Sequence, residues 1–118
     1  MKLINLTHPI GPIELQICES FISRLRGLMF RPNINVHEGI GLISDPPGVI
    51  NASIHMFFMK FDIAVIWLDG SKQVVGKTLA KKWHPYYAPG KPAMYTLELH
   101  PSHFLDFEPG DKVQFIDA

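Results

Sequence analysis

The sequence has a single cysteine and no net charge, and each of these features excludes particular classes of function. Cys18 is the only cysteine among 118 residues, so the chain can form neither an intramolecular disulfide nor a Cys-x-x-Cys zinc or redox motif. Basic and acidic side chains number 11 each, which gives no overall attraction for nucleic acid or an anionic membrane. No apolar run approaches the roughly 20 residues that span a bilayer, and residues 1–6 are too short a run for a signal peptide. We therefore expect a soluble, cytoplasmic protein with neither nucleic-acid nor membrane partners.

What the chain does contain is enough apolar material for one compact domain. Hydrophobic residues make up 47% of the sequence and charged residues 19%, proportions that are ordinary for a globular protein. A chain of 118 residues has the usual size of one domain. We expect residues 1–118 to form a single domain that is a monomer or a weak homodimer.

One stretch has the periodicity of a helix. Ser20 is a typical N-cap residue, and the apolar residues after it recur at three- and four-residue spacing: Phe21, Ile22, Leu25, Leu28 and Met29. The residue before a proline avoids the helical region, so the helix should end before Pro32. The pattern predicts one principal helix over about Ser20 to Phe30.

The remaining apolar stretches are short and favour strands. They are Leu3–Leu6, Ile13–Ile17, Gly39–Ile43, Ser53–Phe58, Ile63–Leu68, Gln73–Leu79, Ala93–Leu99 and Lys112–Ile116. Residues 63–68 are apolar at every position, which indicates an interior strand covered on both faces. One helix and about seven or eight strands predict an α+β, mainly β, domain with a small, bent, antiparallel or mixed barrel-like sheet.

Three blocks of sequence together resemble the domain-of-unknown-function 192 family. Residues 24–31 read Arg-Leu-Arg-Gly-Leu-Met-Phe-Arg, and residues 55–61 read His-Met-Phe-Phe-Met-Lys-Phe. Residues 97–99 read Leu-Glu-Leu and are followed by Pro-Gly-Asp at 109–111. The order and spacing of these blocks are similar to those of the family over nearly the whole chain. The resemblance implies a small β-rich fold with one helix and carries no biochemical activity, so the chemistry must come from the residues.

The leading functional hypothesis is a non-catalytic binding or accessory module. Arg24, Arg26 and Lys60 would attract an anionic or carboxylate group, and Arg31 would project from the same side of the helix as Arg24. Met29, Met59 and Trp83 would supply apolar walls of a groove. The expected ligand is a small anionic molecule or a peptide, with no cofactor and no metal. In the alternative interpretation, the arginines pair internally with Glu98, Asp62 or Asp69.

Two other classes of function remain open. A small hydrolase-like enzyme could use Asp62 or Glu98 with His55 as an acid–base pair. Alternation along residues 95–99 places Glu98 opposite the apolar side chains, which predicts a solvent or groove face for it. A structural or interaction protein is the third hypothesis. The loop over residues 81–91, which combines aromatic rings with lysines, would either cover the barrel mouth or form the rim of a groove.

Overall fold

The computed structural model describes residues 1–18, 28 and 31–117. Its seven strands are β1 (Lys2–Asn5), β2 (Ile13–Cys18), β3 (Glu38–Gly48), β4 (Ile63–Leu68), β5 (Val74–Ala80), β6 (Ala93–Leu99) and β7 (Val113–Ile116), and a 3-10 helix covers Pro101–Asp106. The strands form one mixed sheet in the order β5-β4-β6-β3-β2-β1-β7. The β-dominated fold class expected from the sequence is therefore confirmed.

The mixed character of the sheet comes from one pair of strands. β2 and β3 run parallel, whereas the other neighbouring pairs are antiparallel. Parallel neighbours cannot be joined by a tight hairpin and need a long crossover connection. Residues 19–37 make that connection. The helix expected over Ser20 to Phe30 falls within it, and all of its positions except Leu28 lie outside the described residues.

The sheet curls until its two outer strands meet at one end. Gln73, just before β5, forms a bridge with Lys112, just before β7. The Val74 N–H donates to the Asp111 carbonyl at 2.8 Å, and the Val113 N–H donates to the Lys72 carbonyl at 2.9 Å. The result is a half-barrel, in agreement with the bent, barrel-like sheet that the sequence predicts.

β4 separates two hydrophobic cores. Ala64, Ile66 and Leu68 point into a barrel core with side chains from β1, β2, β6 and β7. Ile63, Val65 and Trp67 point into what we call the loop-side core, which includes Leu28, Ile34, Met56 and Met59. All six β4 side chains are at most 2% exposed. The expectation of an interior strand buried on both faces is confirmed.

One expected strand is wrong. Residues 53–58 form turns with a single bridge, between Ile54 and Tyr87, instead of a strand. Over residues 53–59, the buried side chains are Ile54, Met56 and Met59. Their spacing of two and then three residues does not fit the strict alternation of a strand. The segment therefore follows the surface of the loop-side core.

Candidate functional site

The segment over residues 51–62 is fastened to the sheet through backbone atoms at its start. The Ala52 carbonyl accepts a hydrogen bond from the Trp67 indole N–H at 2.8 Å and from the Thr96 hydroxyl at 3.3 Å. The Ser44 hydroxyl donates to the Asn51 carbonyl at 2.9 Å. Each of these partners lies on the sheet, so the segment begins from a fixed point over the loop-side core.

A second segment, over residues 81–87, pairs with the first. Ile54 and Tyr87 exchange backbone hydrogen bonds of 2.8 and 2.9 Å. The Met56 N–H donates to the His84 carbonyl at 2.9 Å, and the Trp83 N–H donates to the Met56 carbonyl at 2.8 Å. These four bonds join the two segments into one unit, although about 30 residues separate them in the chain.

This unit presents aromatic rings to solvent. We call them the aromatic surface, and their exposed fractions are 42% for Phe57, 46% for Phe58, 55% for Trp83 and 53% for Tyr86. The Phe58 and Trp83 rings contact each other edge to face, with centroids 5.3 Å apart. The methionines of the same segment are buried in the loop-side core instead, since Met56 is 1% and Met59 3% exposed.

The backbone beneath two of these rings has an unusual conformation. Phe58 has φ +62° and Trp83 has φ +66°, both in the left-handed region that bulky residues seldom adopt. In an extended chain, Phe57 and Phe58 would point in opposite directions. The turn at Phe58 instead leaves both rings exposed.

Lysines flank the rings of the aromatic surface along the chain. Lys60, Lys81 and Lys82 are exposed. Asp62 accepts the Lys82 backbone N–H at 2.8 Å and lies 3.5 Å from the Lys81 ammonium. Within the described ranges, no carboxylate forms an ion pair with the ammonium group of Lys60 or Lys82. The side chains of the site therefore leave an excess of positive charge.

The structure distributes the residues expected in one groove over separate places. Arg24, Arg26 and Met29 lie outside the described residues. Arg31 forms a 3.0 Å ion pair with Glu38 and lines a cavity of 390 Å³ beside β2 and β3. Lys60, Asp62 and Trp83 lie beside β4 and β5, and β6 separates the two places along the sheet. Met59 is buried in the loop-side core.

Glu98 does not lie on an exposed face, so the expected solvent or groove position is corrected. Its cross-strand neighbours Ile40 and Val65 are both buried in the loop-side core, and Glu98 itself is 6% exposed. Burial raises the pKa of Glu98 to about 7. Alternation placed the side chain on the correct face, but this face is covered by the loops.

The acid–base pair of the enzyme hypothesis is not formed among these residues. The ring Nδ1 of His55 accepts the Phe57 N–H at 3.2 Å, and no hydrogen bond joins His55 to Asp62 or Glu98. Asp69 lies in the β4–β5 turn, where its Oδ1 accepts the backbone N–H groups of Gln73 and Ser71. Burial acts to raise the pKa of Asp69, but these hydrogen bonds outweigh it and the pKa is lowered. In the described part of the chain, no three His, Cys, Asp or Glu side chains are placed to hold a metal ion.

The half-barrel and its loop-borne surface define a small β-rich domain, and comparison with known proteins identifies its family. The profile of DUF192, described as "Uncharacterized ACR, COG1430", matches residues 4–115. The chain belongs to this family, as its sequence blocks indicated.

Relatives in archaea support the assignment. The chain is 39% identical over 104 residues to the UPF0127 protein TK1120 of Thermococcus kodakarensis, covering 86% of this chain and 64% of the relative. It is 38% identical over 104 residues to a UPF0127 protein of Thermococcus gammatolerans, covering 86% and 66%. The chain thus spans slightly less than two thirds of the length of these two relatives.

Solved structures show the same fold. A protein of unknown function from Novosphingobium aromaticivorans superposes with a TM-score of 0.83 at 19% identity, covering 97% of this chain and 82% of its own. A Sinorhizobium meliloti protein, whose assignment as a transcription regulator is itself provisional, gives 0.82 at 16% identity, covering 96% and 89%. At these identities the similarity concerns the fold alone. Across the described residues, none of the helices is long and apolar enough to cross a membrane.

Proposed function

We propose that this chain is a non-catalytic binding module whose ligand, a peptide or a small anionic molecule, contacts the aromatic surface. The observation that carries the proposal is the exposure of large rings on a backbone held by four hydrogen bonds and an underlying core. Tyr and Trp are enriched at binding sites because they bury much area with little loss of side-chain entropy. The exposed lysines beside the rings favour a ligand with negative charge.

The binding role fits the site better than the hydrolase hypothesis does. A catalytic carboxylate and histidine must lie within hydrogen-bond reach of each other or of a shared substrate atom. Glu98 is buried between strands, whereas Asp62 is occupied by the backbone of Lys82 and His55 by that of Phe57. A binding module needs none of these three groups to be held in a catalytic arrangement.

We place the module in the cytoplasm as a monomer or a weak homodimer, without nucleic-acid or membrane partners. The single cysteine supports this location because the fold needs no oxidising compartment. Equal numbers of acidic and basic residues support the absence of polyanionic partners. The aromatic surface could also pair with a second copy, which sedimentation would detect.

The two tryptophans allow a direct test. The Trp67 indole is buried and donates to Ala52, whereas the Trp83 indole is exposed, so their NMR signals report on the core and on the surface. We expect members of a pool of short peptides and small carboxylates to shift the Trp83 signal and leave that of Trp67 in place. Trp83→Ala should weaken binding markedly, and Leu105→Ala, a change at another exposed apolar residue, should leave it unchanged. A pool without any binder, or binding that does not affect Trp83, would contradict the proposal.

A further inference from the structure

We infer that the ligand of the aromatic surface is an extended acidic peptide segment that carries apolar side chains. This inference rests on the binding function proposed above and names the ligand class. Three ammonium groups lie in this part of the molecule, those of Lys60, Lys81 and Lys82. In the described part of the chain, one carboxylate contacts them, that of Asp62. Because Asp62 is already offset by Lys81, the other two ammonium groups are available to a carboxylate of a ligand.

The shape of the surface favours a peptide over a small molecule. Small-molecule sites are concave and enclose most of the ligand. Here the rings of Phe57, Trp83 and Tyr86 are each about half exposed and stand on the outside of two paired segments. An extended peptide can lie across such an open surface, with apolar side chains between the rings and acidic ones toward the lysines.

The ring geometry and the overall charge disfavour single-stranded nucleic acid, which also binds aromatic and basic residues. Nucleic bases stack on free ring faces. Phe58 and Trp83 meet edge to face at 62°, and His55 and Phe57 are tilted by 34° at 5.5 Å, so the rings pack on each other instead of forming parallel platforms. With a net charge of zero, the chain also lacks the excess of positive charge that a polyanion requires.

Backbone conformation supports recognition over mere packing. Left-handed φ angles at bulky residues are unfavourable and persist where the surrounding structure enforces them, often at binding sites. Lys72, the third non-glycine residue with positive φ in the described chain, sits in the β4–β5 turn, and its ammonium lies 5.1 Å from the Tyr95 ring centroid. Phe58 and Trp83 also lie in tight turns, closed by hydrogen bonds from the Met59 N–H to the Met56 carbonyl and from the His84 N–H to the Lys81 carbonyl. These two turns differ from the one at Lys72 because they carry aromatic rings that remain exposed.

The test compares three labelled eight-residue peptides by fluorescence anisotropy. In the first, glutamate alternates with leucine and phenylalanine; glutamine replaces glutamate in the second and lysine in the third. We expect the glutamate peptide to bind about tenfold more tightly than the glutamine peptide, and this advantage should vanish at about 0.5 M salt. The lysine peptide should not bind.

Variants locate the effect. Lys60→Ser combined with Lys82→Ser should remove the advantage of the glutamate peptide, whereas Lys2→Ser, a change at an exposed lysine on β1, should preserve it. Trp83→Ala should weaken binding of both the glutamate and the glutamine peptides about thirtyfold. Circular dichroism and thermal melts of each variant establish that the fold is intact.

The possible results separate the inference from the proposed function. Equal binding of the glutamate and glutamine peptides, with both weakened by Trp83→Ala, would overturn the acidic-peptide inference and keep the binding module. If no peptide binds, or if Trp83→Ala has no effect on binding, both would fall. Tighter binding of a twelve-nucleotide oligothymidylate than of the glutamate peptide would assign the surface to nucleic acid and overturn the inference.

Discussion

Two buried carboxyl groups, Glu98 on β6 and Asp111 in the turn before β7, have opposite surroundings. Asp111 is 3% exposed, and its Oδ2 atom lies 2.9 Å from Asn5 Nδ2, 2.9 Å from His8 Nδ1 and 3.0 Å from the Glu108 N–H. Glu98 is 6% exposed, and no hydrogen bond to its carboxyl occurs within residues 1–18, 28 and 31–117.

The difference shows that burial alone does not set the charge of a side chain. Burial acts to raise the pKa of Asp111, but the hydrogen bonds from Asn5, Glu108 and His8 outweigh it and the pKa is lowered. For Glu98 only burial acts, and the pKa is raised to about 7. Partners that favour the charged form decide between the two outcomes.

The two carboxyl groups also differ in their place in the fold. Asp111 stands where the two outer strands meet, since its carbonyl accepts the Val74 N–H at 2.8 Å. Gly110, with φ +97°, makes the preceding turn possible, and its N–H donates to the Val74 carbonyl at 2.8 Å. Asp111 therefore helps to close the half-barrel, whereas Glu98 lies in the middle of the sheet on β6, which pairs with β3 on one side and β4 on the other.

The largest expected effect is that of Asp111→Ala. The substitution removes the acceptor of the Glu108 N–H and one of the two acceptors of the buried Asn5 amide, and it deletes a buried charge that is paired with these donors, so we expect a loss of about 4 kcal/mol in the free energy of unfolding. Denaturant titration at neutral pH measures it, with Asp117→Ala at an exposed position as control. Because the pKa of Asp111 is lowered, its stabilisation is present above the ordinary value of 3.8 and is lost as the pH falls below it. A loss equal to that of the control would contradict the role assigned to Asp111.

The pH dependence caused by Glu98 should be the next largest effect and of opposite sign. The folded protein holds a proton on Glu98 up to about pH 7, whereas the unfolded chain releases it near pH 4.5. Stability from this group is complete below pH 4.5 and falls as the pH rises to about 7, by about 3 kcal/mol in total.

Glu98→Gln isolates this contribution because it retains the shape and removes the titration. Denaturant titrations of both proteins between pH 4.5 and 8 should show a stability difference that grows in favour of the variant as the pH rises. Parallel pH profiles for wild type and Glu98→Gln would show that Glu98 ionises in the folded protein as it does in the unfolded chain.

The smallest expected effect concerns the exposed member of the Asp111 cluster. The His8 side chain is 55% exposed, so water can replace its bond to Asp111. We expect His8→Ala to lower the free energy of unfolding by about 0.5 kcal/mol. Thermal melts of His8→Ala and Asp111→Ala compare the stability that each substitution removes. Similar losses would mean that the histidine supplies most of the stabilisation of this carboxylate.

The sequence around Asp111 contains local information about its backbone but none about its chemistry. Pro109-Gly110-Asp111 is part of the family resemblance, and proline, glycine and aspartate are typical turn residues. The partners Asn5 and His8 lie more than 100 residues away in the chain, so no local pattern could connect them. The same limit applies to the candidate site. The residue types of Trp83 and Lys60 indicate binding residues, but no local pattern predicts that their two segments pair with each other.

By itself, the sequence determined the β-rich class, the family and the two-sided burial of β4, because these follow from short-range alternation and from ordered blocks along the chain. Only the tertiary structure decided which apolar residues of the middle segment are covered. Met56 and Met59 are buried while Phe57 and Phe58 are exposed, since the segment turns instead of alternating. Likewise, alternation fixed the face of Glu98, but only loops folded over that face could remove it from water.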